Sequence, residues 1–354
     1  MTESNRQRKV IVLTGSTGGF GRFLARELLK HEDVELILLV RAGSHEEASI
    51  RVQDIVGQDK RVRVYCSDLS QERLGLSQSD FNEITGNATH ILHSAASVRF
   101  TLPLEQARLF NVKTTEQVLL FAKKCPKIVR FGYVGTALVA GNRSGTIRED
   151  EFEHTAGFKN TYEQSKYEAE QLVRLSIENL STVIFRPPLI APSSLPNVSG
   201  RSIVHALLLG ANLVARGDIR FLPGSERSFV DIVDPKISAE RIVTLLLKSK
   251  LSHMVYHITN AAHAPTVSVI RSMIEKKLQH SLPLDFCGSM MEYNEKVSRI
   301  PWYKFRARYA HKKIHSFIPE LAYPKIYDNS HTLNELQIEH LGPDPITVVS
   351  QLIQ

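Results

Sequence analysis

The sequence has few cysteines, no long apolar run and no leader-like start, and each lack removes a class of protein. Cys66, Cys125 and Cys287 are its three cysteines. They are far apart and odd in number, so neither a disulfide framework nor a metal-ligand spacing is visible, and three reduced thiols are expected. No apolar stretch approaches the roughly 18 residues of a membrane-spanning helix. The start, MTESNRQRKVIVLTG, passes from polar residues straight into a strand-like run. It lacks the apolar core of a secretory signal, so a cytoplasmic location is expected. No internal repeat or low-complexity tail occurs. The formal charge is +7. The basic residues read as scattered, without a stripe interleaved with aromatics, so no nucleic-acid partner is expected. An anionic small molecule, an acidic carrier protein or no particular partner is each compatible with that balance.

What is present is the composition of a globular enzyme: 354 residues, 42% hydrophobic and 23% charged. That length suits one large core with a smaller appended lobe. Strand-like and helix-like runs alternate from about residue 9 to 190. Strands are expected at Lys9–Leu13, Val34–Val40, Val62–Cys66, Thr89–His93, Ile128–Val134 and Thr182–Phe185. Helices are expected at about 21–32, Leu104–Cys125 and Asn160–Leu180. Short apolar strands separated by amphipathic helices predict βαβ units, hence an α/β fold of Rossmann type with a doubly wound parallel sheet.

After Phe185 the pattern changes. RPPLIAPSSLPNVSG holds four prolines and reads as a loop. Ser202–Arg216 and Ile237–Leu247 read as helices, Ser228–Val233 and Met254–Thr259 as strands. The expected division is a dinucleotide-binding domain over 1–190, returning at about 228–260. A discontinuous C-terminal substrate lobe takes 191–227 and 262–354.

The first strand runs into TGSTGGFG, with glycines at Gly15, Gly18 and Gly21 and with Ser16, Thr17 and Phe20 between them. A tight turn, a close approach of backbone to a pyrophosphate and close helix–sheet packing are each easiest without a Cβ. The following helix offers unpaired N–H groups and the positive end of its dipole to phosphates. Here the triplet follows a strand and opens a helix, which is the context a dinucleotide site requires. The G-x-x-G-x-x-G spacing, preceded by Thr14, resembles the TGxxGxxG motif of the extended short-chain dehydrogenases/reductases.

The second strand ends at Val40, and Arg41 stands where an NAD enzyme carries the carboxylate for its ribose hydroxyls. An arginine pairs instead with a 2′-phosphate, and Arg22, just past the last glycine, can reach the same group. The expected cofactor is therefore NADPH. The resemblance implies an adenine contact at Asp68 and Leu69. Small residues at Ser94 and Ala95 let backbone lie close to the cofactor, and His93 reads as a core or supporting residue rather than a base.

Tyr162 and Lys166 lie four apart on a helix and so share a face. A lysine cation beside a phenol lowers its pKa from near 10, and the same lysine can hold the nicotinamide ribose. Tyrosine then donates a proton to a carbonyl oxygen while NADPH delivers hydride to its carbon. Upstream, RFGYVGTALVAG resembles the family strand written YVSTxxVxG, which makes Thr136 the catalytic hydroxyl that stabilises the carbonyl oxygen. Gly135 replaces the serine usual before it. Asn111, in FNVKTTEQVL, matches the family's NVxGT motif; supporting the lysine and bonding to backbone are equal readings. The RP-type segment Arg186–Leu189 resembles the one that sets Pro188 and Leu189 against the carboxamide.

HILHSAASVRFTLPLEQARLFNV, GTIREDEF (Gly145–Phe152), Leu39–Arg41 and GSERSFVDIVD (Gly224–Asp234) are similar to thioester-reductase domains and fatty acyl-CoA reductases. This likeness spans roughly 10–260. It implies reduction of an acyl thioester, on coenzyme A or on an acyl or peptidyl carrier protein, to an aldehyde or alcohol. With no adenylation or carrier segment beside it, the enzyme is expected to take its substrate in trans. Two other functions remain open. One is a different extended enzyme, an oxidoreductase, dehydratase or epimerase acting on a ketone or nucleotide sugar. The other is a non-catalytic NADPH-binding regulator.

Overall fold

Seven strands with apolar side chains on both faces form one parallel sheet. They are β1 (Lys9–Thr14), β2 (Val34–Val40), β3 (Val62–Cys66), β4 (His90–His93), β5 (Arg130–Val134), β6 (Thr182–Arg186) and β7 (Val255–His257). The computed structural model describes residues 8–176, 180–191, 210, 212–315, 318–342 and 344–353. The sheet order is β7-β6-β5-β4-β1-β2-β3, and every neighbouring pair is parallel. The order reverses between β1 and β4, which opens a crevice beyond their carboxyl ends. Ile11, Leu13, Leu36 and Leu38 face one layer of helices, and Val12, Ile37, Ile91 and Phe131 the other. That double burial is why the strands read as unbroken apolar runs.

Local chemistry fixes the helix starts. Ser44 accepts from Glu47 N at 3.1 Å and opens the helix His45–Val56. Asn160 accepts from Glu163 N at 3.0 Å and opens Thr161–Leu175. Asp234 accepts from Lys236 N and Ile237 N at 2.8 and 3.0 Å and opens Pro235–Leu247, with proline where no N–H is needed. The first helix is shorter than its apolar spacing suggests, Gly21–Leu28. The long helix after β4 contains a π turn at Leu109–Lys113, between α-helical stretches Leu104–Arg108 and Thr114–Ala122. Residues 192–200 of the proline-rich loop lie outside the described residues, as does most of the expected helix Ser202–Arg216.

The proline-rich segment is not wholly a loop. Leu189–Ile190 pairs in parallel with Ile232–Val233, because Leu189 and Ala191 keep N–H groups that donate to Asp231 O and Val233 O at 3.2 and 2.9 Å. A separate core of Val214, Ile219, Leu282, Cys287, Tyr293, Ala310, Ile314 and Ile318 gathers the C-terminal helices. From Lys325 the chain returns to the sheet. Lys325–Tyr327 pairs with the short strand Gly145–Ile147. The buried Glu149 carboxylate accepts from His257 N at 2.7 Å, from Thr332 Oγ1 at 3.0 Å and from His331 N. The GTIREDEF segment is thus a buried tie between β7 and the helix Ser330–Leu336. By these contacts we place the chain after Lys325 with the Rossmann body, although the division drawn from sequence assigns it to the lobe.

Candidate active site

The glycine turn sits in the crevice between β1 and β4. Gly15 has φ +77°, and a Cβ there would meet Ala95 N at 2.7 Å. A Cβ on Gly21 would lie 1.9 Å from Gly15 O. Thr14 Oγ1 accepts from Ser94 N and Ala95 N, both at 3.2 Å, and so locks the chain after β4 against the turn. Its proton must then go to His93 Nδ1, 2.8 Å away. His93 Nε2–H donates to Thr115 Oγ1 at 3.1 Å, and Thr115 donates to Asn111 O at 2.6 Å. Burial, with Lys166 adding to it, pushes the imidazole down to about 3. His93 is a neutral buried link.

Ser16 Oγ and Arg22 Nε are buried and have no partner among the described residues. Two unsatisfied polar groups beside a turn with no room for a Cβ at Gly15 or Gly21 suit the phosphates of a dinucleotide, so the residues present fit one. Arg41 is exposed, its guanidinium 5.9 Å from the Phe110 ring centre. A residue that sequence reasoning missed stands beside it. Arg51 Nη1 donates to Arg41 O at 2.7 Å and Nη2 to Thr17 Oγ1 at 3.2 Å, joining the glycine turn to the end of β2. Nothing in the local pattern marks this arginine among the other charges of its helix. Asp68 is exposed, and its carboxylate accepts from Ser70 N and Ser70 Oγ. Leu69 packs on the core layer behind it.

Tyr162 and Thr136 meet at the carboxyl end of β5. Burial pushes the Tyr162 phenol up to about 12, and a hydrogen bond with Thr136 pulls in the opposite direction. Thr136 Oγ1 also lies 3.3 Å from Pro187 O and accepts from Leu138 N at 3.3 Å. The Tyr162 ring stacks on Phe100 at 5.2 Å and shares an apolar cluster with Leu189; Pro188 is buried next to it.

Lys166 differs from expectation. Its Nζ donates to Val134 O at 2.9 Å and sits 4.3 Å from the Tyr133 ring centre. Burial drives it down to about 7, against an opposing pull from Glu170. The protein's own groups raise the phenol: burial and the charge of Glu163 act in that direction, and only the Thr136 hydrogen bond opposes them.

Asn111 lies in the π turn. Its Oδ1 accepts from Ser97 N at 2.7 Å, and its Nδ2 donates to Ser97 O at 3.1 Å and Ser165 Oγ at 2.9 Å. These bonds pin the chain after β4 to the Tyr162 helix; none goes to Lys166. At Gly135, a Cβ would point to Glu170 Oε2, Phe185 O and the Tyr133 ring, each at 3.4 Å. A serine there would face the core behind β5, away from the Tyr162 hydroxyl. Glu170 itself is fully buried, 2.6 Å from Arg186 and 3.0 Å from Arg174.

This strand order, with a glycine turn at the crevice and a tyrosine–lysine helix behind β5, defines an extended short-chain dehydrogenase/reductase architecture. The chain belongs to the male sterility protein family, whose sequence profile matches residues 13–242. It is 29% identical over 231 residues to the fatty acyl-CoA reductase wat of Drosophila melanogaster, covering 54% of this chain and 45% of that protein. It is 34% identical over 195 residues to a linear gramicidin synthase of Brevibacillus parabrevis, covering 51% of this chain and 4% of that one. The chain thus spans less than half the length of either relative. The solved terminal R domain of the myxalamid PKS-NRPS pathway shares the fold, with a TM-score of 0.78, 23% identity and coverage of 99% of this chain and 90% of that one. Among the described residues no helix is long and apolar enough to cross a membrane.

Proposed function

We propose that the chain is an NADPH-dependent reductase of acyl thioesters, taking the acyl group from coenzyme A or from a carrier protein to the aldehyde or alcohol. The observation that carries this reading is the buried Tyr162 phenol meeting the Thr136 hydroxyl at the carboxyl end of the central sheet, with burial favouring the neutral phenol. Reduction of a carbonyl needs that form, a neutral acid next to a hydrogen-bond donor. The relatives named for fatty acyl-CoA reduction and gramicidin synthesis support a thioester as substrate.

A bound NADPH supplies hydride to the thioester carbon. Thr136 and Tyr162 hold the carbonyl oxygen as its negative charge develops, and Tyr162 gives it a proton. Collapse of the resulting hemithioacetal breaks the C–S bond and releases the thiol and an aldehyde. Lys166, which spends one N–H on Val134 O, would offer another to the nicotinamide ribose. Ser16, Thr17 and the backbone from Gly15 to Gly21 take the pyrophosphate, with Phe20 packed beneath the turn. Arg22, Arg41 and Arg51 take the 2′-phosphate, Asp68 and Leu69 the adenine side, and Ser94, Ala95, Pro188 and Leu189 the wall of the groove. Asn111 is a positioning residue for the Ser94–Ser97 chain.

The test is NADPH oxidation with acyl-CoA and acyl-carrier substrates of varied length, with the product identified by mass. Thioester-dependent turnover with release of free thiol is expected. Turnover on a ketone or nucleotide sugar alone would move the protein to another extended enzyme class. NADPH binding without turnover on any of them would make it a regulator.

A further inference from the structure

One stretch of the chain holds as many cations as the net excess. Seven Lys and Arg and no carboxylate lie between residues 296 and 313, and the 37 other cations match the 37 Asp and Glu. The reading of basic residues as scattered therefore does not hold, and the same stretch carries Trp302, Tyr303, Phe305 and Tyr309. These rings are 81%, 62%, 70% and 60% exposed. Folding presents them on a fixed surface. The helix Phe305–Ile314 is anchored by Ala310 and Ile314, which are buried in the C-terminal core. His311 Nδ1 and Tyr293 Oη bond at 2.8 Å, and His311 stacks on Phe221 at 4.6 Å. Arg306, Arg308, Tyr309 and Lys312 are exposed. At the edges of the stretch Lys296, Arg299 and Arg306 pair with Glu292, Glu295 and Asp218, surface pairs that hold a side chain only weakly. Beside them lies a cleft of about 540 Å³ whose lining includes Arg220, Arg299, Tyr303, Lys304 and Arg306, with Asp218 as its one carboxylate. Arg220 and Lys304 make no ion pair among the described residues.

We infer that this face, from Lys296 to Lys312, is a docking surface for an anionic phospholipid membrane. Clustered cations are drawn to acidic headgroups, each charge counting without demanding a set geometry. Exposed Trp and Tyr settle where one end of the ring is apolar and the other wet, at headgroup depth. Protein–protein interfaces also favour aromatics and arginine, but they are poor in lysine, and three of the six cations of this face are lysines. The cleft can admit a headgroup phosphate between Arg220 and Lys304. The inference stands apart from the reductase reading, since none of these residues belongs to the proposed catalytic or cofactor set.

Trp302 is the only tryptophan in the chain, so its emission reports on this surface alone. The experiment titrates the full chain with vesicles of phosphatidylcholine alone and of phosphatidylcholine with phosphatidylserine. A blue shift of Trp302 emission is expected with the anionic vesicles, with affinity at least about tenfold above that for neutral ones. It should weaken as salt shortens the Debye length. The double variant Lys304→Glu, Lys312→Glu should lose the shift at unchanged melting temperature and unchanged NADPH binding. Trp302→Ala should weaken vesicle co-sedimentation. If the double variant does not fold, the salt and headgroup dependence of the unmodified protein decides. Equal binding to both vesicles, or to neither, overturns the inference. So does a shift caused by an oligonucleotide or a soluble acidic carrier protein but by no vesicle.

Discussion

Tyr162 keeps its proton because its phenolate would stand in a dry apolar cluster, and one threonine hydrogen bond does not repay that desolvation. A group poised this way acts as a donor in the reductive direction. Tyr162→Phe is expected to bind NADPH as before and to turn over about 10²-fold more slowly, the usual scale for a lost proton donor; single-turnover kinetics and a binding titration check both halves. Equal turnover by the variant would remove Tyr162 from the mechanism. At the other end of the proposed cofactor groove, Arg22, Arg41 and Arg51 are the groups proposed to take a 2′-phosphate. NADPH should bind at least tenfold tighter than NADH, a difference of about 1.4 kcal/mol, and Arg41→Asp should erase the preference. Arg51→Ala should reduce it too, since Arg51 ties Thr17 to the Arg41 backbone. Equal affinities in the unmodified protein would sink that assignment.

At the scale of elements, the helix after β4 turns its π segment into a clamp. The wider turn carries Asn111, whose three bonds satisfy both backbone groups of Ser97 and the Ser165 hydroxyl. Asn111→Ala leaves the Ser97 N–H and C=O without these partners, while the Ser165 hydroxyl keeps its bond to Tyr162 O. A loss of about 1–3 kcal/mol of stability is expected, the cost of buried unsatisfied polar groups, and denaturant titration measures it. If stability is unchanged while turnover falls, Asn111 acts on the reacting groups directly instead. The Tyr162 helix has a second tie. Glu170 lies between Arg186 of β6 and Arg174, and removing it strands a guanidinium that is 1% exposed. Glu170→Ala should cost about 3–5 kcal/mol, the usual penalty for breaking a buried pair from one side. A melting temperature within a degree of the parent would show that the arginines find water.

At the scale of the whole molecule, four histidines are buried neutral: His90, His93, His257 and His311. Burial pushes His90 and His311 down to about 4 and His93 to about 3, and it carries His257 well below the ordinary 6.5. The unfolded chain takes up those protons near 6.5. Between about pH 6.5 and 4 it therefore binds more protons than the folded chain, and stability is lost as pH falls through that window. Burial pushes Asp231 up to about 7 and raises Glu163 and Glu149 as well. These three act in the opposite sense, while Glu320 and Glu335, held down to about 2 against their burial by their lysine partners, add to the loss on acidification. The denaturation midpoint should be lower at pH 5 than at pH 7, and His311→Gln should narrow the gap. A midpoint that rises on acidification would mean the three raised carboxylic acids dominate.

The sequence by itself determined the sheet, the glycine turn and the placing of Tyr162 and Lys166 on one helix, because each rests on local rules. Apolar runs mark strands buried on two faces, a turn against a phosphate excludes Cβ atoms, and residues four apart share a helix face. Only the tertiary structure decided what those residues meet. Lys166 reaches Val134 O, and the phenol is raised rather than lowered, because desolvation depends on neighbours far along the chain, such as Phe100 and Leu189. Arg51 reaches Thr17 across 34 residues of sequence, and Glu149 reaches Thr332 across 183. No periodicity records contacts at such separations. The cations of 296–313 lie together in the sequence, yet only packing shows them rooted by Ala310 and Ile314, with their rings turned outward. Burial, direction and distance belong to the folded chain, and they set the charge state of a side chain whose identity the sequence supplies.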